Sequence, residues 1–150
     1  MHSRIMPDIV KNQTICGQLE TNTVYEAVCR MAFCDVAAIV VMDDEGILRG
    51  IVTERDITRR VVGRGLDPRT TTLGEIMTRD PDTLYPDDLA TEALELMRSR
   101  SYRHLPVVES NNRVVGMVSI RDLYATVQRS LEEDLHQTEA FVFGERYGAA

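Results

Sequence analysis

Thr53-Glu54-Arg55-Asp56 and Ser119-Ile120-Arg121-Asp122 each set a hydroxyl, a guanidinium and a carboxylate within four residues. At the start of a helix these groups suit a sugar phosphate. Free N–H groups and the positive dipole end attract a phosphate. An Arg beside them adds a fixed charge for phosphate oxygens. An Asp near a ribose accepts from two hydroxyls, as the acid of dinucleotide-binding folds does. The same residues have a plain structural use: Thr and Ser are good N-caps, and an acid three residues later completes a capping box. Both readings stay open for Thr53 and Ser119. What strengthens the first is that the tetrad is written twice.

The elements that position the tetrads are duplicated as well. Laying residues 73–128 over 7–62 without a gap matches Glu26 with Glu92, Ala27 with Ala93, Met31 with Met97, Val41 with Val107, Gly50 with Gly116, Val52 with Val118, Arg55 with Arg121 and Asp56 with Asp122. Val24, Ala27, Val28 and Met31 form the apolar stripe of one helix; Ala90, Ala93, Leu94 and Met97 form that of another. After each helix come two apolar runs around a polar turn, IVVM–DDEG–ILRGIVT and LPVV–ESNN–RVVGMVS, which read as hairpins. Pro106 limits pairing at one end of the second hairpin, and Gly50 and Gly116 permit close packing on the strands. A second helix begins at Glu54 and at Ile120, and weaker extended pieces lie near Gln13–Leu19 and Asp82–Leu84. Each half is therefore β-α-β-β-α, and one such unit is too small to bury both its helices and both faces of its sheet. The expected boundaries are 7–64 for the first repeat, 65–72 for a turn-rich linker, 73–135 for the second repeat and 136–150 for a C-terminal tail. The tail carries Phe141, Val142, Phe143 and Tyr147 and would either cap the fold or meet a partner.

Composition narrows the class. The 150 residues are 43% hydrophobic with a formal net charge of -7. That balance supports a folded core and disfavours general binding to nucleic acid or anionic membrane. Cys16, Cys29 and Cys34 are not a disulfide framework, and Cys-x4-Cys without further ligands is poor evidence for metal, so a reducing, cytoplasmic compartment is expected. No apolar run reaches the roughly 18 residues of a membrane span, and no signal peptide is read at the N-terminus. No nucleophile–base pair, P-loop or HExxH is present, so the chain is not expected to be an enzyme.

The ordered motifs GIVTERDI and GMVSIRDL, each after a hairpin, with EIMT at 75–78 and RHLPVVE at 103–109, resemble the paired CBS domains known as a Bateman module. The resemblance runs from about residue 7 to about 135. It implies an α/β (α+β) fold of two β-α-β-β-α repeats packed sheet to sheet about a pseudo-two-fold axis. It implies a stand-alone regulatory module that binds AMP, ADP or ATP, with S-adenosylmethionine less favoured, in clefts between the repeats. Mg would enter only with a polyphosphate. By the same resemblance Asp56 and Asp122 hold ribose hydroxyls, and Thr53 and Ser119 sit by ribose or phosphate. Ala37, Ala38 and Ile39, with Arg103, His104, Leu105 and Pro106, contact base or phosphate; Thr14–Cys16 and Asp82–Thr83 border the adenine. A homodimer and an unidentified regulated protein are the implied partners.

The halves are not equivalent. Arg103 and His104 stand where the first half has Ala37 and Ala38, and only the former offer charge and hydrogen bonds to a phosphate. The set Arg103, His104, Ser119, Arg121 and Asp122 is therefore expected to hold the more phosphorylated ligand. The rival reading is a structural dimerisation or interaction module with vestigial pockets.

Overall fold

The computed structural model describes residues 3–11 and 13–148, with side chains as far as 142; His2, Phe143 and Tyr147 lie outside the described side chains. The duplicated pattern folds as two matching halves. In the first, β1 (Gly17–Gln18) precedes α1 (Val24–Cys34), the hairpin β2 (Ala38–Met42) and β3 (Leu48–Thr53), and α2 (Glu54–Ile57), which runs on as a π-helical turn over Thr58–Val62. After α3 (Leu73–Ile76) and β4 (Thr78–Arg79), the second half has α4 (Ala90–Arg100), β5 (His104–Val108), β6 (Val114–Ser119) and α5 (Ile120–Gly148). β1 lies parallel to β2, while β2–β3 and β5–β6 are antiparallel hairpins. The second half's first extended piece shrinks to one parallel bridge, Leu84 to Val107. Pro106 does not limit the second hairpin as expected. Its register against Met117 is continuous with its neighbours, and its carbonyl accepts from the Leu84 amide at 2.9 Å.

The apolar stripes bury except at their i+4 members: Val28 is exposed and Leu94 is only partly buried, because each stripe narrows to the face that meets the sheet. Val24, Ala27 and Met31 of α1 bury against Ile39, Val41 and Val52 of the first sheet. Ala90, Ala93 and Met97 of α4 bury against Leu105, Val107, Val118 and Leu123 in the second. Between the sheets Val40, Leu48, Val108 and Val114 form a shared apolar layer. The hairpin tips are stitched together: Leu48 N donates to Asn112 O and Val114 N to Gly46 O, both at 3.0 Å. Gly46 and Asn112 hold matching positive-φ turns, 82° and 66°, which glycine and asparagine adopt at least cost.

Each half also borrows a segment from beside the other. Leu73, Ile76 and Met77 pack in the first core, and β4 pairs along β3 at Gly50 and Ile51. Ile5 and Val10, ahead of β1, pack in the second core. On β6 the side-chain amide of Gln13 does what β4 does on β3. Met117 N donates to its Oε1 at 2.8 Å, and its Nε2 donates to Met117 O at 3.1 Å. The paired glycines leave room for these crossings: a Cβ on Gly50 would lie 2.7 Å from Thr78 O, and one on Gly116 would lie 2.8 Å from Val10 Cγ1.

The tail is a continuation of α5 to Gly148. Phe141 and Val142 are exposed, so they do not cap the fold.

Candidate functional site

Both tetrads cap their helices. Asp56 N donates to Thr53 Oγ1 at 3.2 Å, and Thr53 N donates to Asp56 Oδ2 at 2.9 Å. The second half repeats this, with Asp122 N to Ser119 Oγ at 3.2 Å and Ser119 N to Asp122 Oδ2 at 3.1 Å. The caps use one oxygen of each carboxylate. Asp56 Oδ1 lies 3.7 Å from Arg60 Nε; Asp122 Oδ1 makes no hydrogen bond among the described residues. The structural and ligand-binding readings of these residues are therefore compatible.

The strand entries are held in register with the caps. Asp35 and Ser101 end α1 and α4 in the left-handed region, φ 54° and 58°, and turn the chain sharply into the middle strand. The first amide of each following helix then pins that entry: Glu54 N donates to Ala37 O at 3.0 Å and Ile120 N to Arg103 O at 2.8 Å. Short local constraints thus fix each half's strand entry against its own tetrad.

Two clefts result. The larger, about 430 Å³, takes Thr53, Arg55 and Asp56 from the first half and Arg103, His104 and Leu105 from the second, with Asp82 at its border. The smaller, about 310 Å³, takes Ser119, Arg121 and Asp122 from the second half and Ala37, Ala38 and Thr14–Cys16 from the first. Each cleft pairs the tetrad of one half with the strand entry of the other.

That arrangement corrects the expected grouping. Arg103 is separated from Ser119, Arg121 and Asp122 because its strand entry opens toward the opposite half's tetrad. His104 alone of the set reaches both openings. Three guanidiniums, Arg55, Arg60 and Arg103, line the larger cleft, against Arg121 in the smaller. Three further residues line neither opening. Ile39 points into the first core at 0% exposure. Pro106 is buried in the second sheet, and Thr83 stands behind Asp82 on the way to the buried Leu84.

Sequence reading passed over several lining residues. Arg60 sits one helical turn after Asp56 and donates to Ile76 O at 2.8 Å and Thr78 Oγ1 at 3.2 Å, so it ties the first tetrad to β4. Its i,i+4 spacing from Asp56 was a usable signal. Tyr102 and Pro81 in the larger cleft, and Gln13 and Met117 in the smaller, are brought in by tertiary packing that no local pattern announces.

Burial lowers the pKa of His104 from its ordinary value. Asp122 and Glu54 pull it back up, and Arg103 opposes them. Burial also pushes the Cys16 thiol, beside Cys34, up to about 11. Cys16, Cys29 and Cys34 are all free thiols. No helix among the described residues is long and apolar enough to cross a membrane.

The CBS domain model matches residues 19–63 and 73–129. The chain belongs to the CBS-domain family. An Arabidopsis thaliana CBS domain-containing protein, CBSCBSPB2, is 42% identical over 111 residues, which is 73% of this chain and 20% of that protein. The chain thus spans about a fifth of the length of that curated relative. A putative signal-transduction protein with CBS domains from Burkholderia ambifaria is 33% identical, with a TM-score of 0.75 over 81% of this chain and 92% of that one. The CBS domain pair of protein MJ0100, solved with 5-methylthioadenosine and S-adenosyl-L-methionine, has a TM-score of 0.70 at 24% identity, over 79% of this chain and 92% of that one. The α+β arrangement of two CBS repeats is the fold that these matches share.

Proposed function

We propose that this CBS pair is a regulatory module that binds adenine nucleotides, AMP, ADP or ATP, in its two clefts. One observation carries the reading: each cleft joins a hydroxyl–Arg–Asp tetrad from one half to the strand entry of the other. A nucleotide there grips both halves at once. Asp56 and Asp122 accept from ribose hydroxyls, and Thr53 and Ser119 stand beside the sugar. Leu105 and Ala38 supply apolar surface, and the guanidiniums take phosphate. The larger cleft, with Arg55 and Arg103 free of ion pairs among the described residues, takes the more phosphorylated ligand. A Mg ion enters only with a polyphosphate.

Bridging the halves is what makes the module regulatory. A ligand shifts a conformational equilibrium only as far as its affinities for the two arrangements differ. A nucleotide touching both halves has that difference available, and we infer that it is passed to a homodimer partner or to a regulated protein in the cytoplasm. The module has no catalytic step in this reading. For the smaller cleft the alanine entry at Ala37 and Ala38 also fits a vestigial pocket that serves only assembly.

Thermal denaturation with AMP, ADP, ATP, NAD and S-adenosylmethionine separates the two readings. A ligand at one hundred times its dissociation constant adds about 2.7 kcal/mol of stability. A rise in melting temperature with the adenine nucleotides is expected. No rise with any of the five at millimolar concentration would leave the assembly reading.

A further inference from the structure

Among the described residues, only Ala37 and His104 line both clefts, and of these two only His104 carries a group that titrates near neutrality. It opens β5 opposite Ser119 in the register. The matching place in the first half, opposite Thr53, holds Ala38, a methyl group at 4% exposure. The duplication therefore carries one imidazole at a wall common to two anion-sized openings.

We propose that His104 couples the two clefts: an anion bound in one strengthens anion binding in the other by drawing a proton onto this shared imidazole. The inference rests on nucleotides occupying the clefts, as proposed above. Asp122, Glu54 and Arg103 act on the ring directly, and the other charges lining the two clefts come from every packed element. Glu54, Arg55 and Asp56 come from α2, and Arg60 from the turn that extends it. Arg121 and Asp122 come from α5. Asp82 and Arg103 lie on the second half's loops, and Asp35 ends α1. Burial outweighs Asp122 and Glu54, so the ring is held neutral at neutral pH. A phosphate in either cleft adds negative charge beside it and favours imidazolium. Once protonated, the ring presents a positive charge to the other cleft. The effect is reciprocal by linkage, and it fades at alkaline pH, where the proton is unavailable.

The test is calorimetric titration of the full chain with ADP at pH 6.5, in two buffers of different ionisation enthalpy, beside a His104→Gln variant. Subtracting the variant's proton uptake removes the contribution of the nucleotide's own phosphate. The wild type should take up more protons than the variant. Occupying one cleft should tighten ADP binding in the other about fivefold relative to the variant at pH 6.5, the lower end of ordinary coupling, and this gain should vanish at pH 8. In parallel, the midpoint of the His104 ring proton resonance should rise when ADP saturates the wild type, a readout that needs no variant to fold. ADP binding with equal proton uptake in both chains and an unmoved resonance overturns the coupling and leaves the nucleotide reading standing. Absence of any binding heat at millimolar ADP overturns both.

Discussion

Asp56 and Arg103 come from opposite halves of the chain and line one cleft. Asp56 is fixed by a capping box and by Arg60 at 3.7 Å, whereas Arg103 is exposed and makes no ion pair among the described residues. One is a preset acceptor and the other an available cation. That division suits a ligand with hydroxyls at one end and negative charge at the other.

Replacing Asp56 tests the acceptor. Asp56→Ala should lower stability by about 1 kcal/mol through the lost cap. It should also weaken ADP binding about ten- to a hundredfold, the loss of roughly 1–3 kcal/mol of hydrogen bonding. Glu75→Ala is the control. Thr72 N donates to Glu75 Oε2 at 2.8 Å in a similar cap outside both clefts. It should cost similar stability and leave calorimetric ADP affinity unchanged.

Replacing Arg103 tests the cation. Arg103→Ala should leave adenosine binding within about twofold and weaken ATP by about tenfold or more, because hydrogen bonds to charged groups are worth about 1.5–3 kcal/mol. Equal losses for adenosine and ATP would mean that Arg103 shapes the cleft and does not hold phosphate. Melting temperature should not change, since the side chain is exposed.

The lowered pKa of His104 sets a pH dependence of folding. Its folded value lies below the unfolded value of about 6.5. Between the two the unfolded chain binds more protons, so stability rises with pH through that window. Denaturant unfolding of the unliganded protein should therefore show stability falling as pH drops below about 6.5. His104→Gln should flatten that part of the profile. A profile identical in both chains would contradict a half-buried, neutral imidazole.

Much of this architecture was legible because it is local. Helical periodicity placed α1 and α4, since Val24, Ala27 and Met31 must share a face to be buried together. Hairpin alternation and turn residues placed β2–β3 and β5–β6. Capping chemistry placed the starts of α2 and α5 at Glu54 and Ile120. What could not be read was which pieces meet. Nothing local tells Arg103 to leave the second tetrad and face Asp56, because that choice belongs to the packing of Val40, Leu48, Val108 and Val114 between the sheets. The resemblance assigns Ile39 and Pro106 to the ligand only as the last residues of the two strand entries. Strand alternation turns Ile39 into the core, and Pro106 is buried within the sheet.

The repeated glycines give a prediction about packing. Gly50→Ala would set a methyl against the backbone oxygen of Thr78, whereas Gly116→Ala meets side-chain atoms of Val10 and Gln13 that can move. Overpacking of this kind costs about 1–3 kcal/mol. Urea unfolding should place Gly50→Ala at the upper end and Gly116→Ala nearer the lower. The reverse order would mean that β4 yields more easily than the N-terminal segment.

The most direct measurement is native mass spectrometry of the chain with added ADP. The account predicts peaks heavier by one and by two nucleotides per chain. The Asp56→Asn variant should lose the tighter of the two additions, and the Asp56→Asn, Asp122→Asn double variant should lose both. A folded wild-type chain that carries no nucleotide at millimolar ADP, or a double variant that carries as much as the wild type, would contradict it.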